Sequence, residues 1–272
     1  MQKILTLVKH SGNKLLLGYK MQVNHQKVAV VTGASRGIGK QTAILLAQNK
    51  FKVCVNFNKN ESAAYGVVDA IVSAGGSAIA VQADISNENQ IMQMFDIVDH
   101  KLGLISALVN NAGVLFTQSA IENLNADRIN AVLKTNITGT IICCREAVKR
   151  MAYKHGGNGG CIVNVSSRAA ILGSANEYID YAASKGAVDS LTIGLANEVA
   201  GQGIRVNAVR PGLIYTEMHK DGGEPDRVDR LKTSIPMKRG GNANEVAEAI
   251  HWLLSDKSSY STGTFIDVSG GR

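Results

Sequence analysis

Two groups of residues in this chain have the types and spacing to do chemistry. Tyr181-Ala182-Ala183-Ser184-Lys185 sets a phenol and an ammonium four residues apart, on one face if the segment is helical. A free phenol is almost fully protonated near neutrality, so base work by Tyr181 calls for a nearby positive charge, which Lys185 is placed to supply. By itself such a pair is what many surface helices carry. The second group is Thr32-Gly33-Ala34-Ser35-Arg36-Gly37-Ile38-Gly39, which follows an apolar run and leads into a helical pattern. Glycines there let the backbone approach a pyrophosphate closely, and the helix N-terminus offers unpaired N–H groups and a favourable dipole. The spacing is G-x-x-x-G-x-G rather than the G-x-G-x-x-G of the general dinucleotide fingerprint.

These groups need elements to hold them, and short β-rich runs alternate with longer helical patterns over most of the chain. Strands are expected at Val28–Thr32, Lys52–Asn56, Ser77–Ala83, Ile105–Asn110, Cys161–Ser166, Ile204–Val209 and Thr264–Val268. Helices are expected to begin near Gly37, Ser62, Asn87, Asn125, Tyr181 and Asn244. The pattern is that of an α/β fold: a single-domain, doubly wound (Rossmann-type), parallel seven-stranded sheet with helices on both faces, spanning residues 25–272. Residues 1–24 read as an N-terminal extension. Their apolar run is too short for a secretory signal, and Met21, just before the first strand, is an alternative start. Ligands of such sheets bind outside the carboxyl ends of the strands. The long stretch Leu213–Gly241, with Gly222, Gly223 and Pro225, has the profile of a mobile loop with short helices over a site.

At the end of the second strand, an acid would select a nicotinamide dinucleotide with free ribose hydroxyls, whereas a 2′-phosphate needs that acid absent and a cation nearby. Here the strand ends Asn56-Phe57-Asn58-Lys59, with no acid before Glu61, and Arg36 lies in the glycine loop. NADP(H) is therefore favoured over NAD(H), with Lys59 as a second cation; alternatively both are solvated surface charges. Asp84, after the third strand, reads either as a helix cap or as a contact for the adenine edge. Asn110-Asn111-Ala112-Gly113, after the fourth, reads on its own as turn chemistry.

Composition narrows the function classes. The formal charge of +7 is concentrated near the start: residues 1–26 hold four lysines and no acid, leaving the rest only mildly basic. No Lys/Arg stripe with interleaved aromatics is present, so a nucleic-acid binder is disfavoured. The four cysteines (Cys54, Cys143, Cys144, Cys161) and six histidines show no metal-ligand spacing, so no metal is expected and the cysteines read as buried and reduced. No apolar run reaches membrane-spanning length, and a cytoplasmic protein without a membrane partner is expected.

Taken in order, Thr32-Gly33-x-x-x-Gly37-x-Gly39, Asn110-Asn111-Ala112-Gly113, Asn136, Ser167, Tyr181-x-x-x-Lys185 and Pro211-Gly212-x-Ile214-x-Thr216 make the chain resemble the short-chain dehydrogenase/reductase family over residues 25–272. The likeness is to its bacterial glucose 1-dehydrogenase-like and 3-oxoacyl-[acyl-carrier-protein] reductase-like members. It implies hydride transfer between the nicotinamide of NADP(H) and a small carbonyl or alcohol substrate. The implied catalytic set is Asn136, Ser167, Tyr181 and Lys185. Tyr181 would be the acid/base, Lys185 would lower its pKa and hold the nicotinamide ribose, Ser167 would bond the substrate oxygen, and Asn136 would orient Lys185 through a water relay.

The implied cofactor contacts are Gly33, Ser35, Arg36, Gly37, Ile38, Gly39, Asn58, Asp84, Ile85, Asn111, Ala112, Gly113, Pro211, Gly212, Ile214 and Thr216, with Tyr181 and Lys185. Gly113 would lie beside the adenosine ribose, and Ile214 and Thr216 beside the carboxamide. A homotetramer built by helix packing and the last strand is also implied. One departure stands out: the family's serine lies thirteen residues before its tyrosine, whereas Ser167 lies fourteen before Tyr181. An inserted residue between Arg168 and Asp180 accounts for this, with Ser166 as the alternative serine. Tyr178 has Ala182 four residues on, so it reads as pocket lining. A catalytically weak NADP(H)-binding sensor or scaffold is the competing reading; such a protein would be expected to show a broken catalytic set.

Overall fold

The computed structural model describes residues 26–272, so the expected extension at 1–24 lies outside the described residues. Among the described residues nine strands are present: Val28–Val31 (β1), Lys52–Phe57 (β2), Ser77–Gln82 (β3), Ala107–Asn110 (β4), Gly160–Val165 (β5), Ile204–Pro211 (β6), Ile214–Tyr215 (β7), Gly241–Asn242 (β8) and Phe265–Val268 (β9). Seven of them form one parallel sheet in the order β3-β2-β1-β4-β5-β6-β9. The helices are Gly37–Gln48 (α1), Glu61–Ser73 (α2), Glu88–Lys101 (α3), Ala126–Leu133 (α4), Thr140–Met151 (α5), Ala169–Leu172 (α6), Ile179–Val199 (α7), Met218–Asp221 (α8), Arg227–Leu231 (α9) and Ala243–Leu254 (α10). The expected α/β architecture is the one observed, with small shifts at strand ends: β1 stops at Val31 and β4 starts at Ala107.

Successive residues of a strand point to opposite faces, and with helices on both faces each set is apolar. Ala29 and Val31 of β1, Val53 and Val55 of β2 and Val163 of β5 pack with Leu46, Ile71 and Ile250 from α1, α2 and α10. Val28 and Val30 face the other way with Cys54, Leu108 and Ile162, against Phe95 of α3, Cys143 and Met151 of α5 and Val199 of α7. All four cysteines are buried and unpaired.

Three helices start on an asparagine whose side chain accepts a first-turn N–H: Asn60 from Ala63 at 3.0 Å, Asn87 from Gln90 at 3.2 Å and Asn125 from Arg128 at 2.9 Å. The cap of α3 is therefore Asn87, and the reading of Asp84 as a helix cap is corrected. By contrast, α1 has neither a capping side chain nor an acid in its first turn. Its leading N–H groups are left for another partner.

The helix expected after β4 is interrupted. Between α4 and α5 lies a π-helical turn, Lys134–Gly139, that carries Asn136. It forms where the helix crosses the chain leaving β3, and Gly139 makes the crossing possible: a Cβ there would lie 2.2 Å from Ile85 O and 2.6 Å from Ile85 Cγ2. The segment Leu213–Gly241 contains α8 and α9, and the parallel pairing of β7 with β8 ties its two ends together.

Gly139→Ala is expected to lower the free energy of unfolding in urea by about 3 kcal/mol, because the atoms it meets include main chain that cannot rotate away. Gly66→Ala in α2, where a Cβ meets nothing within 4 Å, should raise it by about 0.5–1 kcal/mol. Equal effects of the two changes would contradict the crossing geometry.

Candidate active site

The sheet changes direction between β1 and β4, whose crossovers leave to opposite sides, and the residues after these strands line a crevice. Its floor is stitched by side chains. Thr32 Oγ1 accepts the N–H groups of Asn111 and Ala112, each at 3.0 Å, while Asn111 Nδ2 donates to Thr32 O at 2.9 Å and Gly33 O at 3.0 Å. From β2, Asn56 Oδ1 accepts Gly33 N–H at 3.1 Å, and its amide reaches Ala83 O at 3.1 Å. Gly33 takes φ +61° with the Cβ position 3.0 Å from Ala112 Cα, so no other residue fits without movement.

The resulting cleft is lined by Gly33, Ser35, Arg36, Gly37, Ile38, Asn58, Lys59, Asp84, Ile85, Asn111, Ala112, Gly113 and Thr216. Gly39 lines neither this cleft nor the neighbouring cavity. It is a packing residue beneath the loop, where a Cβ would meet Asn111 Nδ2 at 2.5 Å and Gly33 O at 2.6 Å. Arg36 is in the cleft but paired with Asp221 of α8, both half exposed. Asp84 accepts Ser86 N–H at 2.8 Å.

A second cavity adjoins the first through Ile38, Asn111, Thr216 and Met218, which line both. It brings together Ser167, Tyr178, Tyr181, Lys185, Pro211, Gly212 and Ile214. Tyr181 sits in the first turn of α7. Lys185 lies one turn on, its Nζ 5.5 Å from the Tyr181 ring centroid and donating to Val165 O at 2.8 Å. Enclosure acts oppositely on the two groups. Burial pushes the Tyr181 phenol up to about 12, with the Ser167 hydroxyl pulling the other way. Burial pulls Lys185 down to about 8, with Asp189 pulling it back up. The ammonium is engaged by a main-chain carbonyl, and the group that lowers the phenol is Ser167.

Of the two candidate serines, Ser166 is buried and donates to Lys185 O at 3.3 Å, whereas Ser167 is beside Tyr181 and accepts Ala169 N–H at 3.1 Å. The loop between them and α7 takes up its length with left-handed residues, Gly173 at φ +77°, Ser174 at +49° and Asn176 at +60°. Tyr178 is buried, lines the cavity as expected, and donates its hydroxyl to Gly222 O at 3.1 Å.

Asn136 lines neither cavity but stands directly behind. Its Oδ1 accepts Val114 N–H at 2.8 Å, and its Nδ2 donates to Val114 O at 3.1 Å and Ser184 Oγ at 3.0 Å. Gly113 lies between it and Lys185: a Cβ there would be 3.3 Å from Asn136 Oδ1 and 3.7 Å from Lys185 Nζ. The pair Arg128 and Asp180 escaped the sequence reading. Buried Asp180 accepts Tyr181 N–H at 2.9 Å and is held by Arg128 Nε at 2.8 Å, while Arg128 Nη1 donates to Thr117 O at 2.6 Å. The only signal for it was an acid in the first turn of a helix.

A family model described as enoyl-(acyl carrier protein) reductase matches residues 33–272. The chain is 64% identical over 245 residues to an uncharacterized oxidoreductase YgfF of Escherichia coli, covering 90% of this chain and 99% of that protein. It is 38% identical to a 3-oxoacyl-[acyl-carrier-protein] reductase of Synechocystis, covering 90% and 96%. A crystal structure of a short chain dehydrogenase from Burkholderia cenocepacia in complex with NADP superposes with a TM-score of 0.83 at 31% identity, covering 91% and 98%.

Buried Lys185 and half-buried Tyr181 give stability a definite pH dependence. Between about pH 8 and the ordinary lysine value of 10.5, the unfolded chain holds a proton on residue 185 that the folded chain has released. The contribution of Lys185 to stability therefore rises with pH through that window. Tyr181 acts in the opposite sense between about pH 10 and 12, where the unfolded phenol ionises first. Urea unfolding of the protein and of Lys185→Met at pH 7.5 and 9.5 should show the parent gaining on the variant as pH rises; parallel profiles would contradict the burial of a titrating ammonium.

Proposed function

Because this chain belongs to the short-chain dehydrogenase/reductase family and is an oxidoreductase of it, we propose that residues 25–272 form one NADP(H)-dependent unit. It moves a hydride between the nicotinamide and the carbonyl or secondary-alcohol carbon of a small molecule, with Tyr181 as acid/base. One observation carries this reading: a neutral phenol, a hydroxyl and an ammonium line one cavity that adjoins a glycine-lined cleft. The cleft's chemistry fits a dinucleotide. Gly33 lets the turn after β1 pack directly on Ala112, where a Cβ would lie 3.0 Å from Ala112 Cα, and the uncapped N–H groups of α1 suit a pyrophosphate.

Gly33, Ser35, Gly37, Ile38, Ala112 and Gly113 would hold the nucleotide half, with Asn111 beneath the turn and Asn58, Asp84 and Ile85 around the adenosine. Pro211, Gly212, Ile214 and Thr216 would border the nicotinamide. When bound, the nicotinamide donates or accepts the hydride. The Ser167 hydroxyl hydrogen-bonds the substrate oxygen, an electrostatic role for a preorganised donor. Tyr181, kept protonated by burial, gives its proton to the carbonyl oxygen in reduction and takes one from the alcohol in the reverse direction. Lys185 holds the ribose hydroxyls, and Asn136 is a positioning residue that reaches it through water. This assignment retains the intact set Asn136, Ser167, Tyr181 and Lys185 that distinguishes an enzyme from a sensor.

The NADP(H) preference rests on the absence of an acid after β2 and on Arg36 and Lys59 at that end of the cleft. The pairing of Arg36 with Asp221 means that a 2′-phosphate would compete with a carboxylate for the guanidinium. A homotetramer, using the outer edge of β9 and the partly exposed Trp252 of α10, completes the proposal. Four buried free cysteines are in keeping with a reducing cytoplasm.

Titration with NADPH and NADH, followed by nicotinamide fluorescence and then by a carbonyl panel, tests the reading. Tyr181→Phe should bind NADPH within about twofold of the parent while turnover falls by about a hundredfold or more; unchanged turnover would sink the assignment. Arg36→Leu should weaken NADPH binding roughly tenfold or more and leave NADH binding unaltered, since a charge-assisted contact is worth about 1.5–3 kcal/mol. Equal loss for both cofactors would show that residue 36 does not read the 2′-phosphate.

A further inference from the structure

The cavity around Tyr181, about 520 Å3 in volume, has apolar walls from Leu115, Leu172, Leu213 and Met218, but its remaining side is cationic. Arg168, which follows Ser167, Arg227 of α9 and Arg272 beyond β9 all reach it, against a single lining carboxylate, Glu177. The three guanidiniums are not equally satisfied. Arg227 is buried and saturated: it donates to both oxygens of Glu177 and, at 2.8 Å, to Glu224. Arg168 is neutralised by Asp267 through Nη1, yet its Nε is buried without an acceptor.

Arg272 is the exception in charge. Among the described residues no carboxylate side chain lies within ion-pair distance of its guanidinium, which makes no hydrogen bond, while its main-chain oxygen accepts Ser269 Oγ at 3.0 Å. Burial, and then the charge of Arg227, hold the Arg272 guanidinium below its usual range, with the Glu177 carboxylate pulling the other way. A half-buried guanidinium that lines a cavity without a hydrogen-bond partner of its own is a group that an anion would satisfy.

We infer that the substrate of the proposed reaction carries an anionic oxyacid group, a carboxylate or a phosphate, which Arg272 binds as the counter-charge and to which Arg168 Nε–H is a second donor. This inference rests on the oxidoreductase reading for the position of the reacting carbon at Tyr181, and it adds a substrate class. A neutral polyol or a purely apolar ketone would leave the Arg272 guanidinium without a direct partner and the Arg168 Nε–H unpaired, so the cavity selects against both.

The experiment uses matched pairs with the full chain and NADPH: 4-oxopentanoate against its methyl ester, and dihydroxyacetone phosphate against dihydroxyacetone. The anionic member of at least one pair should be turned over with kcat/KM at least tenfold above its neutral partner, and which pair shows the larger ratio separates carboxylate from phosphate. Arg272→Gln should collapse that ratio to near one through KM, and Arg272→Lys should restore part of it, which a merely structural role for the residue would not do. Calorimetric titration of the NADP+ complex with 4-oxopentanoate and with dihydroxyacetone phosphate reads the site without turnover. Anion binding that Arg272→Gln abolishes, with no reduction of any carbonyl, would overturn the reaction and uphold the anion site. Turnover of neutral and anionic members at equal efficiency, or an equal loss for both in Arg272→Gln, would overturn the anion site and leave the reaction standing.

Discussion

The rest of the site depends on the hydroxyl of Thr32, at the point where the chain leaves β1 beside the end of β4. By accepting two N–H groups from the Asn111–Ala112 turn and donating to Val109 O at 3.3 Å, it locks together two strand ends whose following chains diverge. Divergence is what opens a crevice at a sheet's carboxyl edge, and it leaves main-chain polar groups there without ladder partners. Asn111 and Asn56 satisfy those groups from either side. Each such bond adds only about 1 kcal/mol net, but leaving one of these buried groups unpaired would cost about 1–3 kcal/mol. The floor is therefore held in one arrangement, and the uncapped start of α1 is aimed from it into the cleft.

A second set of polar ties places the reactive half relative to that floor. Asn110 Nδ2 donates to Asn164 Oδ1 and Asn164 Nδ2 to Thr192 Oγ1, both at 2.9 Å, a buried chain from β4 through β5 to α7. At the start of α7, Asp180 and Arg128 hold the turn that bears Tyr181. Asn136 joins the chain beyond Gly113 to α7 through Ser184, whose hydroxyl donates to Tyr181 O at 2.7 Å. With the first turns of the helix held in this way, the two titrating groups stay where burial shifts both. One enclosure has two consequences: it keeps the phenol protonated and makes the ammonium less costly to neutralise. The Ser167 hydroxyl moderates the shift of the phenol.

The π turn that carries Asn136 shows how packing overrides a local preference. Helical periodicity continues through Lys134–Gly139, but the helix must cross the chain leaving β3 at Ile85. Widening the helix by one residue lets Gly139 pass the Ile85 carbonyl and turns the Asn136 side chain toward Val114 and Ser184. Such a turn frees backbone groups as well, and Thr140 Oγ1 takes the Asn136 carbonyl at 2.8 Å.

What the sequence determined by itself was whatever depends on local order. Alternating apolar runs and helical repeats specified the parallel seven-stranded sheet, since period and spacing are properties of consecutive residues. The glycine turn, the Tyr181/Lys185 pair and the serine at a strand end were legible for the same reason. What only the tertiary structure decided lies in contacts between residues far apart in the chain. Gly39 is a packing residue because Asn111 lies above it, Arg36 is held by Asp221 from a distant helix, and Asp84 yields the cap of α3 to Asn87. The Tyr181 phenol is pushed up by its enclosure and pulled back by Ser167, a residue from another strand end. Arg168, Arg227 and Arg272 share one cavity although nothing in their spacing links them. Burial and charge balance are sums over neighbours in space, and a linear pattern cannot supply them until the sheet brings those neighbours together.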